Sequence, residues 1–421
     1  MLTRRNLLKR SSLIALAPTV PGFLARLARA VETKTDDRVL VVIQLDGGND
    51  GINTVVPFRD EGYAKHRDKL RLPTDRLHKL DDNVALHPSM RAMADLHRNQ
   101  KLAIAQGVGY PNPNRSHDVS TAIWQTARFD RAEHKSYGWL GRALDQPQVV
   151  PALGDGDSRS PAAASDGPVP GPQGCPAAML VGDGALPAAL IGRRSIAGGF
   201  SRLDELAVRN DAARETAAAD APNNELAAFV RRSALDAYAT ADAVHEAAAR
   251  ERGKATYPAS PLGQHLSMIA RLIEAGLPTR VYYAAQRGYD THAVQMETHA
   301  RLLGELSGAF AAFLDDLTAA GLAERVLVMT FSEFGRRVAE NASAGTDHGT
   351  AAPMFLAGGG VRGGLVGEAP RLLDLDQGDL KMSLDFRRVY ATVLRDWLTV
   401  DPTLVLAGQF EPLPLWSAPP G

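Results

Sequence analysis

The sequence predicts an α/β protein: a doubly wound, mostly parallel central sheet with helices on both faces. Three observations carry that expectation. Apolar runs without alternation, at 39–45 (VLVVIQL), 102–106, 280–286 (RVYYAAQ) and 326–329, read as strands buried on both faces, the habit of parallel sheets. Longer segments with apolar residues at helical spacing lie between and beyond them, strongest over 262–275 and 296–317. The main runs stop at Gly, Asp, Asn or His, and in open α/β sheets ligands gather outside the carboxyl ends of the strands.

A chain of 421 residues can bury a large core. Lys+Arg 47 against Asp+Glu 48 leaves no basic footprint for nucleic acid, and 45% hydrophobic residues exclude wholesale disorder. A single cysteine, Cys175, excludes an internal disulfide framework. Residues 3–9 read TRRNLLK, a twin-arginine pattern, and Ala28-Arg29-Ala30 offers an A-x-A cleavage site. The expectation is a twin-arginine signal peptide over 1–30, the twin-arginine export machinery as a partner, and a periplasmic or secreted mature chain. An amphipathic N-terminal helix is the other reading. The apolar run at 13–17 is broken by Pro18 and Pro21 and is too short to span a bilayer. No other stretch approaches a transmembrane helix, so the mature chain is expected to be soluble.

Taken in order, the strand at 39–45 runs into Asp46-Gly47-Gly48-Asn49-Asp50-Gly51. Glycines let the backbone approach a ligand closely, and the carboxylates and Asn49 offer oxygens to a divalent metal; a plain turn uses the same residues. Residues 87–99 place Met90, Met93 and Leu96 at helical spacing, with His87 a capping or packing residue. The strand at 102–106 feeds a loop that delivers Ser116-His117-Asp118 to a helix expected through Arg128. Ser116 suits an N-cap, and the same position can present a nucleophile at the positive end of the helix.

Residues 151–176, rich in Pro, Gly, Ala, Ser and Asp, read as a flexible surface insertion in one domain over 36–416. A strand-turn unit is expected at 178–191, a long helix over 223–252, and another over 262–275 stopped by Gly276. His245 and His265 read as surface or packing residues. The strand at 280–286 ends in Gly288-Tyr289-Asp290-Thr291-His292, where Asp290 and His292 form a plausible ligand pair. His299 reads as a helix-surface residue. The strand at 326–329 stops at Ser332-Glu333, and a small-residue loop leads to Asp347-His348-Gly349. Arg336 and Arg337 fit either an oxyanion clamp or a solvated pair. A short strand at 354–357 and a helix over 385–400, capped by Asp385, complete the reading.

Asp46, Asp290 with His292, Glu333, and Asp347 with His348 thus converge on one edge of the predicted sheet. Unpaired carboxylates so gathered repel one another unless cations sit among them. Two divalent ions about 4 Å apart would stabilise the attacking and departing oxygens of an in-line displacement.

The phrases VVIQLDGGNDGINTVVP, GYPNPNRSHDVSTAIWQT, GYDTHA and VLVMTFSEFGRRVAENASAGTDHGTAAPMFLAGGGVRGG resemble an exported bacterial family called "domain of unknown function 1501". The resemblance covers essentially all of the mature chain outside 151–176. That family is in turn similar to the alkaline phosphatase and sulfatase superfamily, which implies a doubly wound sheet and one or two divalent metals (zinc, calcium, magnesium or manganese). Carried onto this chain, the resemblance implies metal ligation by Asp46, Asp290, His292, Asp347 and His348, and a nucleophilic Ser116. Asn49 and Glu333 are candidates for ligands or their supports; Asn114, His117 and Arg336 are candidates for substrate binding. Ser332-Glu333 departs from the Asp-His usual at that place. The implied activity is hydrolysis of a phosphate or sulfate ester, on a small-molecule or glycan-linked substrate. The alternatives are a non-catalytic exported protein that binds a glycan or an envelope partner, and an oxidoreductase using one metal.

Overall fold

Five apolar runs become the middle of one nine-stranded sheet: β1 (Val39–Asp46), β2 (Leu102–Gly109), β5 (Val281–Arg287), β6 (Val326–Phe331) and β7 (Ala352–Gly358). The shorter β3 (Ala178–Val181), β4 (Ala197–Phe200), β8 (Gly364–Val366) and β9 (Leu384–Asp385) extend it. The strand order is β8-β2-β7-β6-β1-β5-β3-β4, with β9 also on β2. The computed structural model describes residues 37–135, 137–146, 149, 176–201 and 255–416. The expected signal peptide over 1–30, the 151–175 part of the expected insertion with Cys175, the expected helix at 223–252 and His245 lie outside the described residues.

Pairing is parallel except at β7, which runs opposite to both β2 and β6. This exception matters for function. Because β7 is reversed, the loop entering it lies at the same edge as the loops leaving β1, β2, β5 and β6. His348, ahead of β7, therefore joins residues that follow the other strands.

Side chains alternate across the sheet, as strand geometry requires. Leu40 and Val42 point into a core with α4 (His117–Thr126), α5 (Trp139–Leu144) and α8 (Phe386–Thr392). Trp124 stacks on Phe386 and Trp139 on Tyr390 there, with ring centroids 4.5 and 4.0 Å apart. Val39, Val41, Ile43 and Leu45 point to the other side, against α3 (Arg91–Arg98), α6 (Pro261–Glu274) and α7 (Gln295–Ala319). Burying each such side chain stabilises the fold by roughly 1.5–3 kcal/mol, so the two-sided core holds the edge loops on a rigid frame.

Local expectations are met with small displacements. Gly276 ends α6 in left-handed backbone, φ +76, and Asp385 caps α8 by accepting the Arg387 N–H. The helix at 385–400 changes hydrogen bonding midway, becoming a π-turn over Val393–Trp397. The helix after Ser116 ends at Thr126, where Ala127 turns left-handed, rather than at Arg128. Among the described residues, no helix is long and apolar enough to cross a membrane.

Candidate metal centre

Asp290, just beyond β5, is the hub of a cluster at this edge. Its Oδ1 accepts from Arg336 Nη2 at 2.6 Å and lies 3.0 Å from His292 Nε2, 3.1 Å from His348 Nε2 and 3.5 Å from His117 Nε2. The Nε2 atoms of His292 and His348 stand 3.0 Å apart. Each ring's other nitrogen is anchored on an oxygen: His117 Nδ1 at 2.8 Å from Glu333 Oε1, His292 Nδ1 at 3.2 Å from Asp347 Oδ1, and His348 Nδ1 at 2.8 Å from the Arg115 carbonyl. Donation through Nδ1 leaves each Nε2 a lone pair directed at the centre.

That arrangement fits a divalent ion. Lone pairs and a carboxylate oxygen so close repel each other, and a cation among them removes the repulsion. His117 Nε2 is buried and makes no hydrogen bond within the chain. Imidazole nitrogens with one carboxylate oxygen are a donor set suited to zinc and other borderline metals. His117, Asp290 and His348 already bring a ligand atom each within 4.8 Å of one another.

The loops are pinned from behind. Glu333, with no exposed surface, accepts the Gly47 N–H at 2.9 Å as well as facing His117. Phe334 packs on both His117 and His348, centroids 4.9 and 4.7 Å away. The chain before β7 folds back on the chain after β6: Gly335 donates to the Thr350 carbonyl and Arg337 to that of Asp347, at 2.7 and 2.9 Å, which sets His348 facing inward. Gly47 sits at φ +118, and a Cβ there would lie 2.5 Å from the Asp290 nitrogen. Only glycine permits that approach.

Electrostatics divides the carboxylates. Burial favours protonation of Asp290, but the hydrogen bond and positive charge of Arg336 outweigh it and hold the carboxyl down at about 2. Burial pushes Asp46 upward, helped by the negative Glu333. The Glu333 hydrogen bond raises His117 against the opposing effect of burial.

The sequence from 37 to 411 matches a family model described as "Protein of unknown function (DUF1501)". The chain belongs to this DUF1501 family. It matches none of the curated proteins. Its fold is similar to the lipoteichoic acid synthase LtaP from Listeria monocytogenes, at 9% identity, TM-score 0.33, over 83% of this chain and 75% of that one. The C-terminal periplasmic domain of EcEptC from Escherichia coli, solved in complex with Zn, gives 8% identity, TM-score 0.34, over 76% and 72%. The PsFucS1 sulfatase from Pseudoalteromonas sp. gives 13%, 0.33, over 81% and 66%. The likeness of the DUF1501 chain to these structures is one of fold alone.

Within the DUF1501 chain, the structure rearranges several expected roles. Asp290, His292 and His348 come together; His117, read as a substrate contact, stands among them. Asp347 is behind His292, on its Nδ1 and on Asn341 Nδ2, rather than at the centre. Asp46 lies at the margin, 3.3 Å from Gln44 Nε2 and 3.7 Å from Arg287 Nε. Asn49 is fully buried, with Oδ1 accepting from Thr54 Oγ1 and facing His299 Nε2, each at 3.0 Å. His299 is accordingly buried rather than on a helix surface.

Arg336 is turned into the protein rather than to solvent. It is 1% exposed and donates to the carbonyls of Gly47, Gly48, Tyr289 and Thr346 besides Asp290. Asn114 spends its Oδ1 on the Ser116 N–H at 2.8 Å, shaping the loop. Ser116 itself is exposed at the N-cap of α4, and its hydroxyl makes no capping bond.

Proposed function

We propose that this DUF1501 chain is a metal-dependent hydrolase of phosphate or sulfate esters, exported through the twin-arginine signal at its N-terminus. One observation carries the reading: three imidazoles turn Nε2 toward one carboxylate oxygen while an oxygen acceptor holds each Nδ1. His117, His292, His348 and Asp290 would hold the ion, and Glu333, Asp347 and the Arg115 carbonyl would orient the rings. When bound, the ion supplies positive charge to the non-bridging oxygens of the ester and to an oxyanion formed beside it.

Ser116 is the nucleophile in this reading. Its hydroxyl is exposed, free of capping duty, and one residue from the carbonyl that anchors His348. The start of α4 favours negative charge there. Asp46, raised by burial and by Glu333, is the carboxyl best suited to carry a proton, whereas Asp290 is held ionised by Arg336.

The test is elemental analysis of the purified protein together with a panel of phosphomonoester, phosphodiester and sulfate ester substrates. The expected result is a bound divalent metal, turnover of one class, and loss of turnover in Ser116→Ala with the metal retained. Turnover unchanged in that variant removes the nucleophile role. A second reading, a binding protein that keeps the fold without catalysis, is favoured by Arg336, whose guanidinium already neutralises Asp290 at 2.6 Å. Metal-free, inactive protein would decide for it. Export is checked by Arg4→Lys with Arg5→Lys, which should leave the protein in the cytoplasm.

A further inference from the structure

His292 and Asp347 face each other at the open side of the centre, with side chains 45% and 62% exposed. A pair so open to water contributes little by itself and does little to stop either side chain from rotating. His117 and His348, by contrast, are packed against Phe334. His292 is held instead by the turn at 341–345, the run of small residues that leads to Asp347.

Asn341 uses all four hydrogen-bonding positions of its amide in that turn. Its Nδ2 donates to the His292 carbonyl at 2.9 Å and to Asp347 Oδ1 at 3.2 Å, the same oxygen that faces His292 Nδ1. Its Oδ1 accepts the N–H groups of Ser343 and Gly345 at 3.0 and 3.1 Å, which closes the turn. Asn341, Asp347 and His292 thus form one ring of contacts that ties the imidazole to its own backbone. The turn is docked on the chain at both sides of His292. Val294 and Gln295 donate to the carbonyls of Ser343 and Ala344 at 3.0 and 2.9 Å, and Thr346 to that of Thr291 at 3.2 Å. Val294 sits at φ +45 there, a left-handed backbone that a β-branched residue adopts only under constraint. A Cβ on Gly345 would lie 2.2 Å from the His292 carbonyl carbon, so the two strips of chain are in direct contact.

We propose that Asn341 is a positioning residue for this centre: through Asp347 and the His292 carbonyl it fixes the direction of His292 Nε2. The proposal rests on the metal reading of the cluster, but the orientation it describes exists without an ion and can be measured without one.

The experiment compares wild type, Asn341→Ser, Asp347→Ala and the double variant. Serine keeps an uncharged oxygen for the turn but is too short to bridge Asp347 and the His292 carbonyl. The first measurement is zinc affinity by chelator competition. Asn341→Ser should weaken zinc binding about tenfold. It should add less than about threefold to the loss in Asp347→Ala, because a residue that acts through another loses its effect once the other is gone. The second is nitrogen NMR of metal-free, histidine-labelled protein at about pH 8, where imidazole is neutral, with His292 assigned by comparison with His292→Ala. Wild type should hold the Nδ1–H tautomer of His292, and Asn341→Ser should shift it measurably toward Nε2–H. Urea midpoints of the metal-free wild type and Asn341→Ser should agree. Unchanged zinc affinity and tautomer in Asn341→Ser, or an equal loss with and without Asp347, overturns the proposal. A midpoint that falls along with affinity marks a merely structural role and overturns it too. A wild type that takes no zinc rejects the metal reading alone, and the tautomer then decides for or against Asn341.

Discussion

Glu333 shows how much one residue's meaning depends on its surroundings. In sequence it is an acidic residue after a strand; in space it is a carboxylate without solvent, shared between the Gly47 N–H and His117. Replacing such an outer partner weakens metal binding by about 10–100-fold. Glu333→Gln should therefore keep the fold and lose affinity in that range in a chelator competition; unchanged affinity would dismiss its orienting role. Arg336 plays the complementary part, a buried cation tying four carbonyls to Asp290. Asp290 is half exposed, so the loss of the guanidinium is felt mainly by the buried carbonyls it serves, and an acceptor left unmet costs about 1–3 kcal/mol. Arg336→Met should show a loss of that size in urea unfolding, and a loss below about 1 kcal/mol would deny it the pinning function.

At the scale of elements, α7 and the loop after β1 are joined by polar groups with no solvent. Asp50 and Arg67 form a fully buried pair at 2.6 Å, and Gln295 donates to the same carboxylate. Burial alone would raise Asp50, but Arg67 prevails and holds it at about 2. His299, beside Asn49, and His87 are driven the other way: burial lowers them to about 4 and about 3. A base with a depressed folded pKa binds fewer protons folded than unfolded, so stability is complete above the ordinary value of 6.5 and falls as pH drops toward 4. For His299 that is roughly 3 kcal/mol at full extent. Urea midpoints should fall between about pH 7.5 and about pH 5, and His299→Gln should reduce the dependence, His87 supplying the remainder. A wild-type midpoint constant over that interval would contradict the account. The same packing explains why His299 misleads when read alone: helical spacing shows which residues share a face, not which face is covered.

For the whole molecule, the reversed strand β7 is the decisive feature. It carries His348 to the edge where Asp290, His292 and His117 arrive from strands running the other way. A ligand that binds only the folded chain stabilises it by about 2.7 kcal/mol at a hundred times its dissociation constant. Added divalent metal should accordingly raise the melting temperature, chelation should lower it, and His292→Ala should abolish the difference. A melting temperature indifferent to both metal and chelator would leave the cluster without its ion.

The sequence by itself determined the sheet, its two-sided core and the edge at which polar residues gather. Those features follow from local signals: unbroken apolar runs, helical stripes, and glycine or aspartate at strand ends. It also marked Asp290, His292 and His348, because each follows or precedes a strand directly. Tertiary structure alone decided which groups face the centre and which stand behind. Asp347 and Glu333 stand behind the rings, His117 joined the cluster, Asn49 was buried between Thr54 and His299, and Arg336 was buried among backbone carbonyls. Side-chain direction depends on packing between segments up to about three hundred residues apart, and such contacts leave no periodic trace along the chain.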